Sequence, residues 1–152
     1  MPTFAQVAAN VSTFDMDKTL LQLLQRKDYQ AFIIEQNQKR LFEHGTDVEG
    51  EDIRTFRAEQ GEAYSRFTID QKLKKGQPDT HVTFKDTGAY YKTFKVEVDN
   101  SGFAVSSDDT KPDGKISDNV EVEPSLGLAD ITELNEKLIP DIQDIIRKAL
   151  LK

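Results

Sequence analysis

The chain has 152 residues, of which 37% are hydrophobic and 31% charged, and it carries a net charge of −7, a composition typical of a single globular domain. It contains no cysteine, which excludes disulfide bonds and thiolate metal sites. The first residues lack the pattern of a secretion signal, and no run approaches the roughly 20 apolar residues that span a bilayer, so the sequence predicts a protein of the cytosol.

The charges are unevenly distributed along the chain. Lysines outnumber acids between residues 72 and 95, whereas acids outnumber lysines from Glu97 to Asp144. Opposite-sign faces suit a subunit that meets copies of itself, or unlike partners, through complementary surfaces. Chance clustering on a solvated surface is the alternative interpretation.

The N-terminal region shows little regular pattern. Residues 1–11 are therefore predicted to be a flexible N-terminal arm, and residues 12–152 a single α+β domain. Ser12 followed by Asp15 is typical of a capping box that opens a first helix. The apolar patch of that helix consists of Leu20, Leu21, Leu23 and Leu24.

A second helix is predicted from Asp28, as its cap, to about His44, with Gly45 as the C-terminal stop. Its apolar side is formed by Tyr29, Phe32, Ile33 and Leu41. Three polar residues interrupt that side: Gln36, Asn37 and Arg40. A stripe that is only partly apolar is typical of a helix lying against a neighbouring subunit or a shallow core.

Residues 45–63 are rich in glycine and acids and predict a long surface loop or a partly extended segment. The acids near its start are Asp47, Glu49, Glu51 and Asp52. Their order does not match a calcium-binding loop, which favours solvated loop acids over an ion site.

A short helix and a corner follow. Ser65 is predicted to cap the helix, and Gly76 with Pro78 to stop it. The sequence Asp86-Thr87-Gly88 predicts a tight structural corner, in which the Asp86 carboxylate accepts main-chain N–H groups and Gly88 adopts a positive φ.

Alternation with a period of two begins after Lys92 and predicts a β-hairpin. One face would hold Phe94, Val96 and Val98. The turn would be formed by the positive-φ residues Asn100-Ser101-Gly102, which lead into a second strand at residues 103–105. Residues 106–118 are predicted to form a polar turn or flexible loop, and Val120 with Val122 a short strand before Pro124.

The C-terminal segment has the clearest helical pattern. Asp130 with Glu133 predicts a capping box, and Pro140 predicts either a kink or a junction between two helices. The apolar side consists of Ile131, Leu134, Leu138, Ile142, Ile145 and Ala149. These elements together predict an α+β fold with N-terminal helices, a small antiparallel β-sheet with a hairpin, and a C-terminal amphipathic helix packed on the sheet.

One motif suggests an enzyme. Asp86-Thr87-Gly88-Ala89 matches the motif of retroviral-type aspartic proteases, which would require a dimer because two carboxylates share one proton. Lys85 before the motif and the absence of a glycine-rich flap favour a structural corner instead. His44 and His81 fit no metal or catalytic motif, no phosphate-binding glycine loop occurs, and a pI near 4.9 argues against a dedicated nucleic-acid binder.

Two blocks in a fixed order resemble the phage virion-morphogenesis family, which includes tail-completion and head-to-tail joining proteins of tailed bacteriophages. The first block is Ser65, Thr68 and Lys72, then Asp86-Thr87-Gly88 with Tyr90 and Thr93, then the hairpin. The second is Leu126-Gly127-Leu128 before the acid-capped helix. The similarity covers roughly residues 40–150. Residues 107–125 differ from the family pattern, which leaves open whether the protein is a tail terminator, a connector or a minor tail component.

The resemblance implies a structural protein with no catalytic, cofactor-binding or metal-binding residues. It would act as an oligomeric adaptor, in a homo-oligomeric ring, in head–tail joining or tail completion. The implied partners are other phage structural proteins, such as connector, tail or portal-proximal proteins, with no membrane and no nucleic acid except DNA passing through a ring. The implied location is the virion, after synthesis in the bacterial host cytoplasm. A dimeric aspartic protease that uses Asp86 is the alternative.

Overall fold

The computed structural model describes residues 1–56, 58, 61–112, 114–120 and 125–152. Within these residues the fold is α+β, as predicted, with five α-helices and two small antiparallel sheets. The helices are α1 Phe4–Thr13, α2 Met16–Leu24, α3 Lys27–Glu43, α4 Arg66–Lys74 and α5 Thr132–Leu150. The strands are β1 Lys95–Asp99, β2 Gly102–Ser106, β3 Thr110–Lys111 and β4 Gly114–Lys115, and short 3₁₀ turns occur at Tyr90–Thr93 and Ser117–Asn119. None of the helices in this described part is both long and apolar enough to cross a membrane.

The N-terminal segment, predicted to be a flexible arm over residues 1–11, forms a helix from Phe4 onward. Thr3 caps α1 reciprocally, because its hydroxyl accepts the Gln6 N–H while the Gln6 side chain accepts the Thr3 N–H. Ser12 lies inside α1 and opens no helix. Asp15 is the residue that caps α2, through the N–H of Lys18.

The predicted long helix is present as α3, with a different start. Arg26 is the N-cap, without a side-chain hydrogen bond, and Asp28 lies in the first turn, where its carboxylate pairs with Arg26 at 2.9 Å. The prediction that Asp28 caps the helix is therefore wrong. His44 ends the helix and Gly45 follows with a φ of 64°, as predicted.

Buried side chains form two clusters. The corner cluster consists of Leu41, Ile53, Tyr64, Val82, Tyr90, Tyr91, Phe94 and Val120. The helix cluster consists of Leu23, Leu24, Tyr29, Ile33, Leu134 and Leu138. α3 supplies residues to both clusters and therefore joins them.

β1 and β2 form the predicted hairpin, which packs on the helices. Val96 pairs with Val105, and Val98 pairs with Phe103. All four side chains pack against the helix cluster, which also contains two buried leucines of α5. The hairpin and the C-terminal helix therefore share one core.

Two details of the hairpin differ from the prediction. Phe94 precedes β1 and packs in the corner cluster, so it does not share the face of the strand valines. In the turn only Gly102 has a positive φ, of 139°. The Asp99 carboxylate accepts the N–H of Ser101 at 2.7 Å, which stabilises the reversal without a positive φ at Asn100 or Ser101.

α5 is one continuous helix that contains Pro140, so the predicted junction between two helices does not occur there. Its predicted apolar side is largely correct, since Leu134 and Leu138 are buried. Ile131, however, is 59% exposed. The predicted capping box is wrong, because the Asp130 carboxylate accepts hydrogen bonds from the N–H and hydroxyl of Thr132.

Two segments predicted to be loops are held by pairing. Thr46 bridges to Asp52, and Thr55 bridges to Val120. In the second segment β3 and β4 form a short antiparallel ladder. Val120, expected in a strand, is buried and makes a bridge to Thr55, whereas Val122 and Pro124 lie outside the described residues.

A group of polar side chains fastens α5 to α3 and is called the Tyr29 network. The Tyr29 hydroxyl lies 2.8 Å from Asp141 Oδ2 and 3.0 Å from the Lys137 carbonyl oxygen, and can donate to either. Arg26 Nη1 lies 2.8 Å from the same Asp141 oxygen. Burial, reinforced by the hydrogen bond to Asp141, raises the pKa of Tyr29 to about 12.

Tyr29→Phe is expected to reduce the free energy of unfolding by about 1 to 2 kcal/mol at neutral pH, because the Tyr29 network loses a hydrogen bond to a carboxylate. Since the folded-state pKa lies above the ordinary value of 10.0, the contribution of Tyr29 is complete below pH 10 and is lost as the pH rises toward 12. Denaturant unfolding of both proteins between pH 8 and about 12 would measure this. A difference that stays constant across this range would contradict the assignment.

Candidate functional site: the corner at residues 83–86

α4 has an inverted distribution of side chains. Its one buried residue is Lys72, which is 7% exposed, whereas Phe67 and Leu73 are 73% and 60% exposed. The predicted ends are correct. Ser65 caps the first turn by accepting the N–H of Thr68, and Gly76 ends the helix with a φ of 62°.

The Lys72 ammonium lies in a cage of oxygen acceptors. Its Nζ is 3.0 Å from Thr83 Oγ1, 3.0 Å from the Lys85 carbonyl oxygen and 3.5 Å from Gln77 Oε1. It also lies 4.9 Å from the centre of the Tyr64 ring, a distance suited to a cation–π contact. Burial lowers the pKa of Lys72, and the nearby Asp86 carboxylate partly opposes this. The cation thus binds α4 to the segment that leads into the Asp86-Thr87-Gly88 corner.

Two buried tyrosines hold the backbone of the same segment. The Tyr64 hydroxyl accepts the Thr83 N–H at 2.8 Å, and the Tyr91 hydroxyl donates to the Thr83 carbonyl oxygen at 2.5 Å. Burial raises the pKa of both tyrosines. Side chains therefore satisfy these backbone groups, as strand neighbours would in a sheet, although residues 79–85 form no strand.

The backbone is unusual at Phe84. This residue has a φ of 53°, the only positive φ of a non-glycine residue in the described part of the chain. A bulky residue in this region is sterically disfavoured by about 1 to 2 kcal/mol. The contacts of Lys72, Tyr64 and Tyr91 on either side keep Phe84 in this conformation. We call these four residues, with Thr83, Lys85 and Asp86, the corner site.

Asp86 behaves differently from the prediction. Its carboxylate is paired with the Lys75 ammonium, and the side chain is 75% exposed. The expectation that this carboxylate accepts main-chain N–H groups is therefore wrong. The Thr87 hydroxyl takes that role by accepting the Ala89 N–H at 3.3 Å, and Gly88 has the predicted positive φ, of 86°.

The Leu126-Gly127-Leu128 motif docks on α3 through the polar residues that interrupt its apolar side. Asn37 is fully buried, and its Oδ1 accepts the Gly127 N–H at 2.9 Å. Arg40 Nη1 donates to the Gly127 carbonyl oxygen at 3.1 Å, and its Nη2 donates to Asn37 Oδ1 at 3.0 Å. Polar residues that interrupt the apolar side of α3 thus bind the backbone of the same chain at Gly127.

The predicted loop acids and histidines have structural contacts. Asp47 is 7% exposed, and its carboxylate accepts the N–H groups of Glu49 and Glu51. His44 is the C-cap of α3, while His81 Nε2 lies 2.6 Å from the Phe42 carbonyl oxygen. Within the described part of the chain, no three acidic or histidine side chains are grouped as metal ligands. The structure therefore assigns Asp47 and His81 to loop packing.

A cleft of about 430 Å³ lies away from the corner site, between α1, α2 and the end of α5. Its lining includes Asn10, Asp15, Lys18 and Lys152. Asn10 donates to the Leu150 carbonyl oxygen at 3.5 Å and so connects two of its walls. The cleft contains none of the residues singled out by the two motif blocks.

Lys72→Met is expected to change the free energy of unfolding by about 1 kcal/mol or less, because the lost charge-assisted hydrogen bonds are offset by the removed cost of burying an ammonium. Lys72→Ala, which also removes the buried methylene chain, should cost about 2 to 3 kcal/mol. Denaturant unfolding of both variants would measure the difference. Equal, large losses would show that the ammonium itself stabilises the fold.

The polar groups of the corner site bond mainly to the chain itself, and its exposed part is the pair of Asp86 with Lys75. Among the predicted residues, the structure brings Lys72 and Asp86 close to each other. Gly127 lies elsewhere, bonded to Asn37 on α3. Sequence patterns missed Tyr64, Thr83 and Tyr91, since no local signal distinguishes a tyrosine that bonds to a distant backbone group. No family model, curated protein or solved structure matches this chain.

Proposed function

We propose that the chain is a structural protein of a tailed bacteriophage or prophage that acts in head–tail joining or tail completion as an oligomeric adaptor. The observation that carries this proposal is the order of its elements, which runs from the short capped helix through the Asp86-Thr87-Gly88 corner and the hairpin to the Leu126-Gly127-Leu128 motif and the last helix. Its partners would be other virion proteins, including further copies of the chain.

The contacts of the motif residues support an architectural role. Lys72 holds the backbone at Thr83 and Lys85, and Asn37 holds Gly127. Both contacts position segments rather than leave side chains free for chemistry. A protein that presents fixed surfaces to neighbouring subunits needs this kind of rigid support.

The alternative, an aspartic protease, gains no support from the environment of Asp86. The protease mechanism requires two carboxylates that share a proton, whereas Asp86 is largely exposed and paired with Lys75. Peptide libraries incubated at acid pH with the protein and with Asp86→Asn would test this alternative. Cleavage by the unchanged protein that is lost in Asp86→Asn would establish it and overturn the structural role.

The proposed function is tested in the phage or prophage that encodes the chain. Mass spectrometry of purified virions should detect the protein in multiple copies. Deletion of its coding sequence should yield separate heads and tails, or unfinished tails, in electron micrographs, and expression of the intact chain should restore infectious particles. Virions that lack the protein, together with normal particles after deletion, would refute the proposal.

A further inference from the structure

The outer face of α4 combines exposed hydrophobic residues with positive charge. Phe67 and Leu73 flank a row formed by Arg66, Asp70 and Lys74 at steps of four residues, which places the row on one side of the helix. All five residues are exposed, and in the described part of the chain Arg66 and Lys74 have no ion-pair partner. The row has a net positive charge. We call this surface the α4 face.

The outer side of α5 is its chemical complement. Glu133, Glu136 and Ile139 follow one another at steps of three residues and all are exposed. Ile139 is 50% exposed. Neither glutamate has an ion-pair partner within the described residues. We call this surface the α5 face.

The two faces belong to different parts of the molecule. α4 packs on the corner cluster through Ile69, whereas α5 packs on the helix cluster through Leu134 and Leu138. Within the described residues, the α4 face carries unpaired cations between exposed apolar side chains, and the α5 face carries unpaired acids beside the exposed Ile139. The chemistry of each therefore fits the other on a second molecule.

We propose that the α4 face of one copy docks on the α5 face of a second copy. This inference deepens the proposed function by naming the partner surface of the oligomer. A contact between two different patches is heterologous, so repeating it produces a closed ring or an open filament instead of a two-fold dimer. Burial of Phe67, Leu73 and Ile139 would supply the apolar contact, and the charges would set the orientation.

Charge reversal provides the test, with sedimentation velocity of the purified full chain over a range of concentrations. The unchanged protein should self-associate, and association should weaken in about 1 M salt, where charges are screened beyond a few ångströms. The double variant Arg66→Glu with Lys74→Glu should lose about tenfold or more in affinity, as should Glu133→Lys with Glu136→Lys. Circular dichroism would check that both variants remain folded.

Restoring association by combining the two reversals distinguishes this specific contact from a general effect of net charge. An equimolar mixture of the two double variants should associate again, because each reversed face then meets an oppositely charged one. A chain that carries all four substitutions should also associate with itself. Lys39→Glu with Lys92→Glu is the matched control for the reversal of the α4 face, since it makes the same change in net charge as Arg66→Glu with Lys74→Glu. Both lysines are exposed and lie outside the two faces, so association should be unchanged.

Three outcomes would overturn the inference: a protein that stays monomeric at all concentrations, association that neither reversal weakens, or a mixture that does not associate again. Each is distinguishable from failure of the proposed function. A protein found in virions but insensitive to these reversals would act there through other surfaces. A protein that shows the reversals and their restoration but is absent from virions would be an oligomer with another role.

Discussion

Gly45→Ala is expected to destabilise the protein by about 2 to 5 kcal/mol, the sum of a left-handed backbone and a crowded side chain. Gly45 follows α3 with a φ of 64°. A Cβ at this position would lie 2.8 Å from His81 Cβ and 2.9 Å from the Val82 carbonyl oxygen. His81 cannot move aside freely, because its ring nitrogen is bonded to the Phe42 carbonyl oxygen at 2.6 Å.

Gly76→Ala is the matched control for this effect. Gly76 ends α4 in the same way, with a φ of 62°, but a Cβ there would have no heavy atom within 4 Å. Gly76→Ala should therefore reduce the free energy of unfolding by about 1 to 2 kcal/mol, through the strained left-handed backbone alone. Denaturant unfolding of the two variants gives the comparison. Equal losses would show that the contact of Gly45 with the segment at residues 81–82 is not tight.

Asn37→Ala is expected to reduce the free energy of unfolding by about 2 to 4 kcal/mol, because it leaves two partly buried donors without an acceptor and the buried Ile33 carbonyl oxygen without the side-chain donor. Asn37 Oδ1 accepts hydrogen bonds from the Gly127 N–H and from Arg40, and Asn37 Nδ2 donates to the Ile33 carbonyl oxygen at 2.8 Å. Burial lowers the pKa of the Arg40 guanidinium, with Asp47 partly opposing this, so losing a neutral acceptor beside Arg40 adds to the cost.

Asn135→Ala serves as the control, since Asn135 is an exposed asparagine on α5. It should change the free energy of unfolding by about 0.5 kcal/mol or less. Amide hydrogen exchange adds a local measurement, in which the Gly127 N–H should exchange faster in Asn37→Ala than in the unchanged protein. Equally slow exchange of the Gly127 amide in that variant would contradict the hydrogen bond between Gly127 and Asn37 on α3.

Local chemistry explains which parts of the fold the sequence predicted. Ser65 and Gly76 bound α4 because a hydroxyl cap and a left-handed glycine each act within one turn of helix. The hairpin follows from alternation with a period of two and from a turn closed by Asp99. The threonine and glutamine that cap α1 form a similar local signature at residues 3 and 6, which would have predicted that helix.

The parts that were missed depend on partners distant in sequence. Asn37 and Lys72 are polar residues of types that usually lie at a protein surface, yet both are buried. Asn37 bonds to Gly127, 90 residues away, and the partners of Lys72 lie in a segment without regular structure. Asp86 shows the reverse case, since its local motif predicts main-chain contacts but its carboxylate pairs with Lys75, the C-cap of α4. Burial of a polar group is decided by which acceptors the fold brings to it.

The position of α5 has a consequence for the newly made chain. α2, the start of α3 and the hairpin all precede residue 107, whereas Leu134 and Leu138, which complete the helix cluster, lie later in the chain, on α5. During translation the apolar surface of the earlier elements therefore stays uncovered until α5 has left the ribosome. In that interval, chaperones or neighbouring chains can bind an apolar surface that is buried in the folded protein.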